Sequence, residues 1–246
     1  MGKSRTSPLQ KTGSSIGVGG SIGGGNSSLF HKATNVTEAK NLLKTISNNA
    51  SIEITNKDIP VINEAVKQIQ ARMKEYGLDK FDDIQFVRNN NVLASIEDNT
   101  LKLNLNALRN PEGYWKKEQK FLEKYGVRYS AVEGKNDVLR SAIDHELGHK
   151  VYARSKYPDA NKYVNDIYSK STIGANAPIY KISSYASTSG DSHEFFAESF
   201  AMYNHPKSRN NLTSQIRDMV KNVSKANDGN VKKAKKPANK KKAGKK

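Results

Sequence analysis

The chain has 246 residues, a formal net charge of +17, no cysteine and a hydrophobic share of 35%. That length allows one sizeable core plus tails, and the low apolar share implies that part of the chain does not fold. The absence of cysteine excludes a disulfide framework and restricts any zinc site to His and carboxylate ligands, while no run approaches the ~18 apolar residues of a membrane span. The positive charge sits at the ends: the last eighteen residues carry nine Lys and no acid, and the first thirty-two carry Lys3, Arg5, Lys11 and Lys32, again with no acid. The body between them is only mildly basic, so the net charge is a property of the arms.

Residues 1–32 are rich in Gly and Ser and read as a flexible arm. The Gly-dominated stretch 16–25 is not the apolar run of a signal peptide. Ala39, Leu42, Leu43 and Ile46 predict a short helix from Thr37. Asp58 before Ile59-Pro60 marks a second helix start with proline in its first turn. Val61, Ile62, Ala65, Ile69 and Met73 carry its apolar face to Tyr76, and Gly77 closes it. Residues 84–87 read as a strand. Residues 92–96 and 101–105 flank Glu97-Asp98-Asn99-Thr100 as a hairpin, with Leu101, Leu103 and Leu105 on one face and Lys102 and Asn104 on the other. A polar-faced strand here can be an ordinary sheet edge, or can accept an extended peptide as an added strand. Residues 111–125 predict a surface helix that turns Trp115, Phe121 and Leu122 inward and Lys116, Lys117 and Lys120 to solvent.

The next helix, predicted over 137–154 with Asn136 as its cap, contains Asp144-His145-Glu146-Leu147-Gly148-His149. Residues four apart share a helix face. His145 and His149 can therefore offer two imidazole nitrogens to one metal ion, with Glu146 beside it as a base. A catalytic zinc needs a third protein ligand. The compact H-E-x-x-H-x-x-G-x-x-H arrangement is excluded, because Tyr152 and Ser155 stand where Gly and His are required. A helical pattern over 159–170 follows. Residues 190–203 then form a strongly apolar helix capped by Asp191 or Ser192, with Phe196, Phe200 and Tyr203 packing one side and Glu194 and Glu198 sharing a face. Two carboxylates on such a helix need partners. A metal supplies one, and the N–H of a metal-bound histidine supplies the other. An amphipathic helix over 207–223 uses Leu212, Ile216, Met219 and Val220. Residues 229–246 form a Lys-rich tail that reads as disordered and, at most, as a weak, salt-sensitive contact for nucleic acid or another polyanion.

His145-Glu146-x-x-His149 with the later Glu194-Phe195-Phe196-Ala197-Glu198-x-Phe200 resembles the lethal-factor-like zinc peptidases. These are gluzincins, the H-E-x-x-H proteins with a distant glutamate ligand, and they include the catalytic domain of anthrax lethal factor and relatives in bacterial toxins and phage-encoded proteins. The resemblance covers roughly residues 80–220. It implies an α+β, zincin-like metallopeptidase domain over 33–228, with a small, mostly antiparallel sheet, an active-site helix and a C-terminal helical part. It further implies that His145, His149 and Glu194 bind one Zn2+ and that Glu146 polarises the attacking water. Glu198 then orients a ligand histidine, and Tyr185 stabilises the oxyanion with Tyr180 in reserve. His193 reads as surface. The implied partner is a protein or peptide substrate, in the cytoplasm, in a virion or in a cell to which a toxin is delivered. The rival expectation is a phage- or toxin-associated binding protein that uses the fold as a scaffold and the basic tail as its contact.

Overall fold

A computed structural model describes residues 30–50, 53–88, 92–174 and 177–225. Most of the Gly/Ser-rich arm and all of the Lys-rich tail lie outside these residues. From Lys32 onward the described residues belong to one compact unit.

Helix α1 (Val36–Leu43) is capped by Asn35, whose side chain accepts from the Glu38 amide at 2.9 Å. Strand β1 (Ser47–Ala50) leads to α2 (Ile59–Tyr76), entered through a short 3-10 turn at Asn56–Asp58 with proline in the first turn. Gly77 ends α2 in the left-handed region at φ 60°, which glycine adopts without steric cost. Then come β2 (Phe81–Val87), β3 (Ala94–Glu97), β4 (Thr100–Asn104), the short α3 (Leu105–Arg109) and α4 (Pro111–Tyr125). The second half is helical among the described residues: α5 (Val138–Ala153), α6 (Ala160–Ser171), α7 (Ser184–Thr188), α8 (Ser192–Tyr203) and α9 (Ser214–Lys225). None of these helices is long and apolar enough to cross a membrane.

The class is α+β, but the sheet is mixed and not mostly antiparallel. Its order is β1-β2-β4-β3, with β1–β2 and β2–β4 parallel and only β3–β4 antiparallel. The reason is connectivity. The eighteen-residue α2 carries the chain back so that β2 runs alongside β1 in the same direction, as parallel strands require. The chain then passes β2, lays β3 on the outer edge, and turns back so that β4 fills the gap. The turn residues Asp98 and Asn99 have φ of 47° and 62°, the signature of a two-residue primed hairpin turn. Leu101, Leu103 and Leu105 are buried as expected, and Asn104 is buried too because it caps α3 through the Ala107 amide.

Three local readings are corrected. Asn136 does not cap α5: residues Lys135–Asp137 form a 3-10 turn running straight into the helix, and Asp137 occupies the cap position. On α4, Leu122 is 39% exposed while Glu118 is buried, so the inward stripe runs through the acid and not through the leucine. The last helix begins at Ser214, because Leu212 is extended at ψ 140°. Leu212, just before it, and its Ile216, Met219 and Val220 are buried all the same.

Candidate metal centre

Helix α5 is buried on nearly every side, and its one open stripe carries the two histidines. Helix α8 packs directly against it, and a glycine sets how closely. A methyl group on Gly148 would lie 2.8 Å from Cα of Ala197, so the backbones meet at a distance only Gly permits. Asp191 caps α8 by accepting from the His193 amide at 2.8 Å. The cap fixes where the helix starts, and hence where Glu194 stands in its first turn.

The two helices bring three ligand atoms together. His145 Nε2 lies 3.2 Å from His149 Nε2 and 3.1 Å from Glu194 Oε2. His149 Nε2 lies 3.4 Å from the same oxygen. Buried Glu194 Oε2 has no hydrogen-bond partner despite these neighbours. A tetrahedral ion with ligand bonds of about 2.0–2.2 Å separates its ligand atoms by roughly 3.3–3.6 Å. The edges of the triangle fall at or within about 0.2 Å of that spacing, so His145, His149 and Glu194 form a group that can hold a metal ion.

Glu198, one turn further along α8, meets His145 Nδ1 at 2.8 Å. That contact fixes the proton on Nδ1 and turns the Nε2 lone pair toward the triangle. Burial alone would lower the His145 pKa, but contacts with Glu194 and Glu198 hold it well above the usual range. Burial likewise works to raise the Glu194 carboxyl, and the two imidazoles more than offset it, leaving Glu194 well below the carboxylate range. Glu146 is 8% exposed. Burial raises its carboxyl, against the pull of both histidines and a hydrogen bond from the Ile96 main chain. A raised carboxyl beside a metal position suits a proton carrier.

Tyr185 and Tyr180 part company. Tyr185 sits on α7, which is pinned to the 128–129 segment by Ser184 N–H to Arg128 O at 2.6 Å and Tyr185 N–H to Tyr129 O at 2.9 Å. Its ring lies 6.0 Å from the His145 ring. Burial, and then Glu194, push its hydroxyl up to about 12, so it remains a donor at neutral pH. Tyr180 is 45% exposed and lines a separate cavity with Leu122 and Arg128. His193 is exposed on the rim, its ring 4.6 Å from that of Tyr152.

A cleft of ≈ 1180 Å³ runs over the triangle, walled on one side by β3 and its turn and on the other by residues of α5, α6 and α8. Strand β3 is one of the two edge strands of the sheet among the described residues, β1 being the other. Asn104 N–H donates to Leu93 O at 2.9 Å, which sets the alternation. The main-chain groups of Ser95 and Glu97 face β4, and those of Ala94 and Ile96 turn to the other side, where the Ile96 N–H meets Glu146. Interior β4 cannot add a strand; edge β3 can.

Two features were not foreseen from sequence. One is the close contact at Gly148, for which a mid-helix glycine is itself the signal. The other is a buried network on the far side of α5 around Asp144, two of whose partners, Gln68 and Arg72, lie more than seventy residues away and leave no local trace. Compared with known proteins, the chain matches no family model, no curated protein and no solved structure.

Proposed function

We propose that this chain is a zinc-dependent metalloendopeptidase with a lethal-factor-like, zincin-type catalytic domain. The observation that carries the reading is the triangle of His145 Nε2, His149 Nε2 and Glu194 Oε2, with edges of 3.1 to 3.4 Å and an unpartnered buried oxygen at one corner. Two imidazoles, which give up their Nε2 protons when a metal binds, and one carboxylate are a ligand set suited to a catalytic zinc with one position left open. When bound, zinc supplies Lewis acidity toward a water and a peptide carbonyl.

The chain's own residues supply the rest. An extended peptide pairs with β3 through the Ala94 main chain and the Ile96 carbonyl, the Ile96 N–H being taken by Glu146, and so runs along the cleft beside the histidines. Glu146 accepts the proton of the attacking water and returns it to the leaving amine, a two-way task suited to a carboxyl raised by burial. Tyr185 donates its phenolic hydrogen to the oxygen that gains charge. Glu198 keeps His145 in the tautomer that presents Nε2 to the ion.

The test is Glu146→Gln. Zinc content should be unchanged while peptide cleavage falls by about 10²- to 10⁴-fold. Cleavage at the wild-type rate would reject Glu146 as the base, and a wild-type protein that fails to retain zinc would reject the whole reading.

A further inference from the structure

Helix α5 carries a second pair of residues one helical turn apart. His145 and His149 turn to the metal position, and the next residue in each case, Glu146 or Lys150, meets the β3–β4 hairpin. Glu146 takes the Ile96 N–H of edge strand β3. The Lys150 ammonium donates to Asn99 Oδ1 in the turn between β3 and β4 and, at 3.4 Å, to Lys80 O just before β2. It also lies 4.1 Å from the centre of the Phe81 ring, so its donors meet two oxygens and a ring face.

Lys150 is 5% exposed. Among the described residues its ammonium forms no ion pair, and nearby Asp79 is held by Arg154. A buried ammonium without a carboxylate is a costly way to fill space, and a methionine of similar length would cost less. Packing therefore does not explain the lysine, whereas its hydrogen bonds do. What they fix is a direction. One tie between a strand and a helix leaves the strand free to pivot, and a second tie removes that freedom. The ties leave α5 at 146 and 150 and the metal ligands leave it at 145 and 149, so neighbouring residues of one helix set the spacing between ion and strand. The Glu146 tie changes during turnover, because a carboxyl that has taken a proton is a weaker acceptor than a carboxylate. The Lys150 tie is untouched by that proton. Ile96, Asn99 and Lys150 all line the cleft, so the clamp belongs to the wall along which a peptide would pair.

We propose that Lys150 is a positioning residue that holds the strand-pairing edge of the sheet in register with the metal ligands. The inference rests on the peptidase reading and deepens it. Two variants cut the same bond from opposite sides. Lys150→Met keeps the stem and removes the donors. Asn99→Gly removes the acceptor, and glycine suits a turn position at φ 62°. With a peptide that the zinc-loaded wild type cleaves, each variant should raise KM about tenfold and change kcat by less than about twofold. Zinc affinity and unfolding free energy should not fall. The double variant should behave as Lys150→Met alone. An unchanged KM, a loss confined to kcat, a matching loss of zinc affinity or stability, or additive effects in the double variant overturns the proposal and leaves the peptidase reading standing. Asn99→Gly decides the matter even if Lys150→Met does not fold. If the wild type cleaves no peptide, the peptidase reading fails and amide hydrogen exchange over residues 94–99 decides the clamp. Exchange about tenfold faster in both variants, with α8 unchanged, supports it, and exchange equal to wild type removes it.

Discussion

Helix α5 buries charge on two faces, and the two faces treat it differently. On the far face, Asp144 is fully buried and accepts from Arg72 Nε at 2.8 Å, Arg140 Nη1 at 2.8 Å and Gln68 Nε2 at 2.7 Å. Arg140 also holds Asp137 and reaches Ala201 O at 3.1 Å, and Arg72 reaches Asn204 O at 3.3 Å. Two guanidiniums meet two aspartates, and the account closes within the chain. On the near face, Glu146, Glu194 and Glu198 gather around two imidazoles, and among the described residues the ion pairs there involve only His. Adjacent residues, Asp144 and His145, thus belong to opposite regimes. Buried acid is therefore no sign of a site by itself. Buried acid that the chain leaves without a cation is, because some other group must balance it.

The comparison breaks most visibly at Asp144. Asp144→Ala leaves two guanidiniums facing an empty position, and removing one partner from a buried pair is destabilising by about 3–5 kcal/mol. The unfolding free energy from denaturant titration should drop by that amount equally in zinc and in chelator. A drop confined to the zinc-loaded protein would place Asp144 with the metal site instead.

Glu194→Gln should do the reverse. On the proposed zinc reading, wild-type protein in zinc at 100 times its Kd should gain about 2.7 kcal/mol over the chelated form, and the variant should lose most of that increment. Retention of the full increment would mean that the ion sits elsewhere. Asp144→Ala, by contrast, should keep the increment while lowering the baseline.

The near face was legible in the sequence and the far face was not. His145 and His149 are one helical turn apart, so their convergence follows from helix geometry alone. Glu194 is distant, but two acids on a Phe-rich helix announce a need for partners. Arg72 and Gln68 announce nothing, because each reads as an ordinary solvated residue of α2 until α2 is laid against α5. The same logic separates the sheet's parts. The β3–β4 hairpin is local and its turn residues mark it. Strand β1, Ser-Asn-Asn-Ala, has no apolar alternation and exists through its parallel pairing with β2, a non-local contact that also set the direction of the sheet.

Gly148 joins the two faces, and a methyl group there should disturb both by a smaller amount. Alanine is the better helix former by about 1 kcal/mol, which favours the variant. Against it stands contact with Cα of Ala197 at 2.8 Å, a backbone atom that can yield only if α8 moves. Overpacking of this kind is destabilising by about 1–3 kcal/mol, so Gly148→Ala should be destabilised on balance. Because α8 carries Glu194, zinc affinity should fall with it. Unchanged affinity, measured by competition with a chromophoric chelator, would show that the triangle tolerates a shift between the helices.

The smallest effect belongs to pH on the far face. His205 Nε2 lies 3.7 Å from Asp137 Oδ1, while its Nδ1 meets the Ser208 amide at 3.3 Å. Burial and then the Arg140 charge depress its pKa below the usual value, outweighing Asp137 and Glu133. The folded state therefore binds the proton less readily than the unfolded chain. Stability from neutral His205 is fully present above about pH 6.5, the unfolded value, and erodes as pH falls through the lower folded value. The near-face carboxyls titrate too, so the quantity to follow is the difference between wild type and His205→Gln, both in chelator. That difference should favour wild type at pH 7 and narrow steadily toward pH 5. A difference that stays flat, or widens on acidification, would mean that Asp137 and Glu133 dominate the imidazole and that the far face gains from its protonation.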